Sequence, residues 1–235
     1  MKAVILAGGF GTRLRPLTFS IPKPLLPVGE KPILEIIITK LKRFGFKEFF
    51  LAVGYKAELI ETYFQDGSKF KVKINYIREN KPSGTAGPLA LLNKKLRLDP
   101  RESFLLMNGD ILTNLNFLKF IKYHYDSNSE ITIGTKRIRQ KLSYGVIKVK
   151  DGCVWKIEEK PTIAYDVSAG IYLMRSSVLC DVPKAIFYTM PQLVKKLIIQ
   201  GRKVSSYYIK EYWIALEQFH HVEKAKLDIH KWIRK

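Results

Sequence analysis

The sequence predicts an α/β protein of Rossmann-like form, with a mixed, mostly parallel central sheet flanked by helices. Strand and helix patterns alternate through the first half, which is typical of parallel βαβ units. A glycine-rich loop follows directly on the first strand pattern, and strands dominate the second half. The 235 residues are enough to bury a large core, so we expect a single domain spanning residues 1–235.

The elements of the first half follow from short apolar runs and from helical spacing. The predicted strands are 3–6, 49–53, 72–76 and 104–107. A helix over 33–44 places Ile33, Ile37 and Leu41 on one face and ends next to Gly45. Two further helices are predicted, over 57–64 and over 88–96, and Pro88 suits the first turn of the second one.

The second half has a different pattern, in which strands follow one another. The predicted strands are 131–136, 145–150, 154–158 and 168–173, with Asp151-Gly152 as a hairpin turn. A final helix over 218–232 carries one apolar stripe. That stripe consists of Phe219, Val222, Ala225, Ile229 and Ile233, and we expect it to pack on the body of the protein.

The composition excludes several classes of protein. Hydrophobic residues make up 46% of the chain, but no apolar run approaches the roughly 18 residues of a membrane span. The apolar run after Met1-Lys2 is shorter than that of a signal peptide, so it reads as a strand and we expect a cytoplasmic location. Cys153 and Cys180 lack metal-site or disulfide spacing, and we expect two buried or partly buried thiols.

The formal charge of +20 raises the question of nucleic-acid binding. The basic residues are scattered, and their densest groups, 94–97 and 136–139, are short. We therefore interpret them as solvated faces that attract small anionic molecules, and expect no nucleic-acid or membrane partner. The alternative, a polynucleotide-binding protein, predicts binding that weakens steeply with salt.

The loop Gly8-Gly9-Phe10-Gly11 predicts a phosphate-binding turn at the end of the first strand. Leu14 excludes the dinucleotide fingerprint, and Thr12-Arg13 after Gly11 excludes the Walker A motif. The loop instead continues with a hydroxyl and with a guanidinium suited to bidentate phosphate contact. Lys23 follows between two prolines, which stiffen the backbone that carries its charge.

The opening, MKAVILAGGFGTRLRPLTFSIPKPLLPVGEKPILE, resembles that of the sugar-1-phosphate nucleotidyltransferases, particularly the mannose-1-phosphate guanylyltransferase-like branch. The likeness extends across nearly the whole chain. It implies the nucleotide-diphospho-sugar transferase fold, with a nucleotide-binding half over about 1–128 and a sugar-phosphate-binding half over about 129–235. It also implies transfer of a nucleotidyl group, GMP from GTP, to a mannose- or heptose-like sugar 1-phosphate, with Mg²⁺ and release of pyrophosphate.

The resemblance assigns roles to the loop and to the charged residues after it. Arg13 and Lys23 would neutralise charge at the reacting phosphates as catalytic residues, by positioning and electrostatics and without a covalent nucleophile. The nucleotide-binding residues would be Leu6, Ala7, Gly8, Gly9, Gly11, Thr12, Arg13, Glu79, Gly84 and Thr85.

Two carboxylates have a functional and a structural interpretation. The Glu79 carboxylate can accept hydrogen bonds from N1–H and the amino group of guanine, or it is a solvated loop charge. Asp110 follows an apolar strand in Asn108-Gly109-Asp110 and resembles the catalytic metal ligand of the family; alternatively, it is a turn residue.

The sugar-phosphate pocket of the family resembles three later segments of this chain. Carried across, Gly145 would let the sugar approach the backbone, Glu159 would accept hydrogen bonds from sugar hydroxyls, and Lys160 would pair with the sugar phosphate. Ser168 would contact the sugar, although the family usually has Asn there. A serine offers one hydroxyl in place of an amide donor and acceptor, which leaves the sugar undetermined.

The largest departure is Ala215, which stands where the family has the aspartate that is its second metal ligand. If the segment stays extended, Glu217 faces the same side and its carboxylate substitutes as a metal ligand. The alternative is a catalytically impaired member that binds nucleotide sugar as a regulatory or partner subunit. A homo-oligomer also stays open.

Overall fold

The computed structural model describes residues 1–92, 96 and 98–229. The strands are β1 Lys2–Leu6, β2 Pro27–Val28, β3 Lys31–Pro32, β4 Glu48–Val53, β5 Lys73–Arg78, β6 Ser103–Asn108, β7 Ile111–Thr113, β8 Ile131–Lys141, β9 Val146–Lys150, β10 Cys153–Glu158, β11 Thr162–Arg175, β12 Val204–Tyr208 and β13 Trp213–Ala215. The α-helices are α1 Leu17–Ser20, α2 Ile33–Arg43, α3 Ala57–Phe64, α4 Phe117–Asp126, α5 Met190–Ile199 and α6 Phe219–Leu227.

A seven-stranded sheet with the order β12-β8-β11-β6-β1-β4-β5 forms the centre of the molecule. The strand β11 runs antiparallel to its neighbours β6 and β8. The other four neighbouring pairs are parallel. This arrangement confirms the predicted mixed, mostly parallel sheet, and the one reversed strand belongs to the half where strand patterns follow one another without helices between them.

Apolar side chains cover both faces of the sheet, because alternate residues of a strand point to opposite sides. In β1, Ile5 belongs to the buried cluster that contains residues of α2, α3, α4 and α6, whereas Val4 belongs to the cluster that contains residues of α5. Both side chains are fully buried. A strand buried on both faces reads as a continuous apolar run, which explains why the first strand was recognisable from sequence.

The predicted helices are borne out to different degrees. The prediction 33–44 is confirmed by α2, and 57–64 by α3. In the segment 88–96, the structure has a 3-10 helix over Gly87–Leu91, whereas residues 93–95 lie outside the described residues. The last helix is α6, and Ile233 of the predicted stripe lies outside the described residues. Phe219 is 51% exposed, so its predicted burial is wrong; it is the first residue of α6.

The hairpin of β9 and β10 confirms the predicted turn. Asp151 and Gly152 have φ angles of 49° and 78°, as a two-residue turn with two left-handed positions requires. The expected burial of the cysteines is wrong, since Cys153 and Cys180 are both exposed. Cys153 begins β10, whose residues are nearly all exposed. Among the described residues, no helix combines the length and the apolar character that crossing a membrane requires.

Candidate functional site

A cavity of about 380 Å³ opens at the carboxyl ends of β1 and β6, the edge at which open α/β sheets bind ligands. Its wall is built from the loops after β1, β5 and β6 and from the segment before α5. The described residues that line it are Leu6, Ala7, Gly8, Gly9, Gly11, Lys23, Pro24, Glu79, Pro82, Ser83, Gly84, Thr85, Pro88, Asn108, Gly109, Asp110, Phe187 and Thr189.

Many of the predicted site residues meet in this cavity. They are Leu6, Ala7, Gly8, Gly9, Gly11, Lys23, Glu79, Gly84, Thr85 and Asp110. Thr12 and Arg13 lie next to it in a 3-10 helix, Thr12–Leu14, and are not part of the wall. The predicted sugar-phosphate residues also lie outside the wall.

The glycine-rich loop is held at both ends by backbone contacts. The N–H of Ala7 donates to the carbonyl of Ala52 at 2.8 Å, which continues the parallel pairing of β1 and β4. Gly11 has a φ of 61°, and its carbonyl accepts a hydrogen bond from the Thr18 hydroxyl at 2.9 Å. A Cβ atom at Gly8 would lie 2.8 Å from Oε2 of Glu79, so a side chain there would displace the carboxylate from its position against the loop.

An ion pair joins the two charged residues predicted to act on phosphate. Lys23 donates from Nζ to Oδ2 of Asp110. Lys23 begins a 3-10 helix after Pro22, whose ψ of 143° is extended. The backbone of Asp110 is held by a hydrogen bond, in which its carbonyl accepts from the N–H of Leu216 at 2.9 Å.

The second carboxylate oxygen of Asp110 identifies the point in the site where a cation fits. Oδ1 is buried and has no hydrogen-bond partner among the described residues. A buried carboxylate oxygen without a partner is costly, and it is the ligand type that Mg²⁺ prefers. The described residues form no cluster of three or more His, Cys, Asp and Glu side chains suited to a metal. Asp110 therefore fits a metal whose other ligands are water and phosphate oxygens.

Glu217 contacts Arg13. Its Oε2 lies 2.5 Å from NH1 of Arg13, and the two side chains are 48% and 65% exposed. The N–H of Glu217 donates to the carbonyl of Ala215 at 3.0 Å, which closes a three-residue turn. The extended backbone that would direct Glu217 to the side of Ala215 is therefore absent.

Glu79 combines a fixed and an available carboxylate oxygen. Its Oε1 accepts hydrogen bonds from the hydroxyl and the N–H of Ser83. Its Oε2 is the atom that lies over Gly8 in the cavity wall. Ser83 thus restrains the carboxylate through one oxygen, and the other oxygen lies beside Gly8.

The predicted sugar-phosphate residues lie around the base of the β9–β10 hairpin and on β11. A Cβ atom at Gly145 would lie 3.1 Å from Oε2 of Glu159, and Nζ of Lys160 is 3.6 Å from Oε1 of Glu159. Lys160 has a φ of 46°. Ser168 shares a 2.8 Å hydrogen bond with the hydroxyl of Tyr172, which is buried.

Sequence reasoning missed the segment before α5, which brings Phe187 and Thr189 to the cavity. A local signal was present in the sequence. Thr189 and Gln192 form a capping box, in which the N–H of Gln192 donates to the Thr189 hydroxyl at 3.4 Å, and Thr-x-x-Gln before an apolar run marks a helix start. The proximity of this helix start to residues 83–87 has no local signal.

Comparisons with known proteins agree with this geometry. The sequence model of the nucleotidyl transferase family matches residues 2–224. A rice protein (Oryza sativa subsp. japonica) named "Probable mannose-1-phosphate guanylyltransferase 1" is 41% identical over 184 residues, which are 76% of this chain and 51% of that protein. A mannose-1-phosphate guanyltransferase of Yarrowia lipolytica is 37% identical over 227 residues, covering 93% of this chain and 61% of that protein.

A solved structure supports the fold. A Bacillus anthracis protein named "Putative Glucose-1-Phosphate Thymidylyltransferase", in complex with sucrose, has a TM-score of 0.81 at 22% identity. The match covers 100% of this chain and 97% of that chain. The predicted nucleotide-diphospho-sugar transferase fold is thereby confirmed. The chain spans about half the length of the first curated relatives that it matches. From the family match and the sequence identity of these relatives, the chain belongs to the nucleotidyl transferase family of sugar-1-phosphate nucleotidyltransferases.

Proposed function

We propose that this protein joins a nucleoside triphosphate, GTP in the first instance, to a mannose- or heptose-like sugar 1-phosphate and releases pyrophosphate. The observation that carries the proposal is the meeting of the glycine-rich loop with the Lys23–Asp110 pair in one cavity. Such a site needs no covalent nucleophile, since phosphoryl transfer depends mainly on positioning and on neutralising charge. Guanine is supported by the available oxygen of Glu79 and by the names of the two curated relatives.

Each charged residue has a distinct role in this proposal. Lys23 and Arg13 neutralise the phosphates of the triphosphate, with Thr12 as a hydroxyl donor beside them. Asp110 would hold Mg²⁺ through its unpartnered Oδ1, and the metal would supply positive charge beside the phosphates. In the reaction the sugar phosphate oxygen attacks the α-phosphorus and pyrophosphate leaves. The Lys23–Asp110 pair keeps both charges in place before substrate binds.

The sugar side of the reaction rests on the second half of the chain. Lys160 pairs with the sugar phosphate, Glu159 accepts from sugar hydroxyls, and Gly145 gives room beside them. Ser168 contributes the hydroxyl that also bonds to Tyr172. We propose that nucleotide is bound mainly by residues of about 1–128 and sugar phosphate mainly by those of about 129–235, within one domain. A cytoplasmic location and a homo-oligomer are predictions, and light scattering of the purified chain tests the latter.

The test of the activity is release of pyrophosphate when the purified protein is mixed with GTP and mannose 1-phosphate in the presence of Mg²⁺. The expected result is stoichiometric formation of a nucleotide sugar and pyrophosphate. Absence of pyrophosphate across a panel of nucleoside triphosphates and hexose or heptose 1-phosphates, at several concentrations of Mg²⁺ and Mn²⁺, would contradict the proposal.

A second candidate function is a catalytically impaired, nucleotide-sugar-binding subunit. Ala215, which ends β13 opposite Ile111, favours it because a methyl group cannot bind a cation. Substitution Ala215→Asp separates the two candidates: we expect less than a tenfold gain in pyrophosphate release if Asp110 and phosphate oxygens suffice for the metal. A gain of about 100-fold or more, the scale of a missing catalytic charge, supports the impaired subunit. Ala215→Asn, which adds similar volume without charge, is the control.

A further inference from the structure

The segment 186–190 contributes an aromatic side chain to the cavity that the glycine-rich loop and Asp110 do not explain. Phe187 lines the cavity and is nevertheless 63% exposed. It is the one aromatic residue among the described residues of the wall. Its neighbour Tyr188 packs instead against a buried core cluster. Most of the Phe187 ring is therefore exposed at the cavity wall, where a bound ligand can cover it.

Backbone hydrogen bonds lock this segment to residues 83–87. The carbonyl of Tyr188 accepts from the N–H groups of Ala86 and Gly87 at 2.9 and 3.0 Å, and its own N–H donates to the carbonyl of Ser83 at 2.8 Å. A Cβ atom at Gly84 would lie 2.4 Å from the carbonyl oxygen of Tyr188. The two segments are therefore in direct backbone contact, and Phe187 projects from a fixed frame.

The contact between residues 83–87 and 186–190 also involves the residue that holds the Glu79 carboxylate. The Ser83 hydroxyl donates to Glu79, while the Ser83 carbonyl accepts from Tyr188. Ser83 thus fixes Glu79 and the residue next to Phe187 at once. Glu79 and Phe187 line the same cavity, so a planar heterocycle bound there can contact the carboxylate with its polar edge and the ring with its face.

Other groups near the site are already occupied. Phe10, in the glycine-rich loop, packs on Tyr55 with ring centroids 5.3 Å apart. Thr189 uses its hydroxyl on Gln192, so that its methyl group is what it offers to the cavity. The described residues place no aromatic ring against Phe187.

We propose that Phe187 stacks on the base of the nucleoside triphosphate and selects purines over pyrimidines. The larger face of a purine covers more of the ring than a pyrimidine does, and base–aromatic stacking contributes substantially to affinity. Glu79 accepts hydrogen bonds from the edge of the base, and Phe187 distinguishes bases by the area of their faces. This inference rests on the proposed function, since it requires that the cavity bind a nucleoside triphosphate.

Equilibrium binding of GTP, UTP and inorganic tripolyphosphate to the wild-type chain and to Phe187→Ala tests this. We expect the Kd for GTP to rise about tenfold, the Kd for UTP to rise less, and the Kd for tripolyphosphate to stay unchanged. Phe187→Trp keeps an aromatic face and is expected to keep GTP affinity. Ile186→Ala is the matched control, because Ile186 is the exposed neighbour outside the wall.

If the wild-type chain binds GTP, either of two results would overturn the inference. One is that Phe187→Ala has the same melting temperature and the same Kd values as Ile186→Ala. The other is an equal loss for GTP and UTP, which removes purine selection. If the wild-type chain binds GTP without releasing pyrophosphate, the transferase proposal fails and the stacking proposal is still decided by these Kd values. Absence of any triphosphate binding overturns both.

Discussion

An ion pair between Arg13 and Glu217 lies beside the cavity and offsets the positive charge of the guanidinium. Glu217 places a carboxylate against this guanidinium, next to the cavity. In the absence of nucleotide it neutralises the guanidinium predicted to receive phosphate. The pair is half exposed and contributes little to stability, on the order of 0.2–1 kcal/mol, which a triphosphate can exceed when it binds.

Substitution Glu217→Gln is therefore expected to lower the KM for GTP by about two- to fivefold, the equivalent of an exposed ion pair, with kcat nearly unchanged. Steady-state pyrophosphate release measures both constants. Glu223→Gln is the control, since Glu223 pairs with Lys226 on the surface of α6. If Glu217 were instead a metal ligand, the substitution would lower kcat and raise the Mg²⁺ concentration needed for activity.

At the residue level, site residues that belong to short local patterns were predicted from the sequence, whereas those brought to the cavity by distant contacts were missed. The glycine-rich loop and Asp110 each follow a strand, and Lys23 lies between two prolines. These features can be recognised from a few neighbouring residues. Phe187 reaches the cavity because backbone groups of Tyr188 bond to residues about a hundred positions earlier. No short pattern encodes such a pairing. The Arg13–Glu217 contact was likewise missed because the predicted metal role assumed an extended chain.

At the scale of elements, a buried histidine ties α4 to the central sheet. Ring nitrogens of His124 lie 2.9 Å from the hydroxyl of Ser103 in β6 and 2.8 Å from that of Thr132 in β8. A neutral imidazole satisfies one hydroxyl as donor and the other as acceptor. Burial, together with the charge of Arg175, lowers the pKa of His124 from 6.5 to about 4.

This pKa shift makes stability depend on pH. The unfolded chain takes up a proton on His124 near pH 6.5, whereas the folded chain resists until about pH 4. The stabilisation is therefore present above pH 6.5 and is lost as the pH falls towards 4, by up to roughly 3 kcal/mol.

Urea unfolding of the wild type and of His124→Gln between pH 7.5 and 4.5 measures the effect. The variant is expected to be less stable at pH 7.5 but to lose less stability on acidification. His220→Gln, at an exposed histidine, is the control and is expected to follow the wild type. Parallel pH curves for the wild type and His124→Gln would show that His124 does not contribute.

On the scale of the whole molecule, the sheet topology creates the site. Parallel pairing of β1 with β4 and with β6 places the carboxyl ends of all three at one edge. The loops after β1 and β6 therefore meet, although about a hundred residues separate them. The formal charge of +20 adds a field that attracts anionic molecules to the protein as a whole. The alternating pattern predicted the sheet, but the one reversed strand, β11, depends on pairings that no local pattern specifies.

The most direct test of the account is a paired measurement on Asp110→Asn. If Asp110 holds the metal at the reacting phosphates, pyrophosphate release from GTP and mannose 1-phosphate is expected to fall at least about 100-fold. The Kd for GTP without metal is expected to change less than about threefold, because the amide keeps the shape of the carboxylate. Asp126→Asn, at an exposed pair with Lys122, is expected to leave both values unchanged. Undiminished pyrophosphate release by Asp110→Asn would contradict the account.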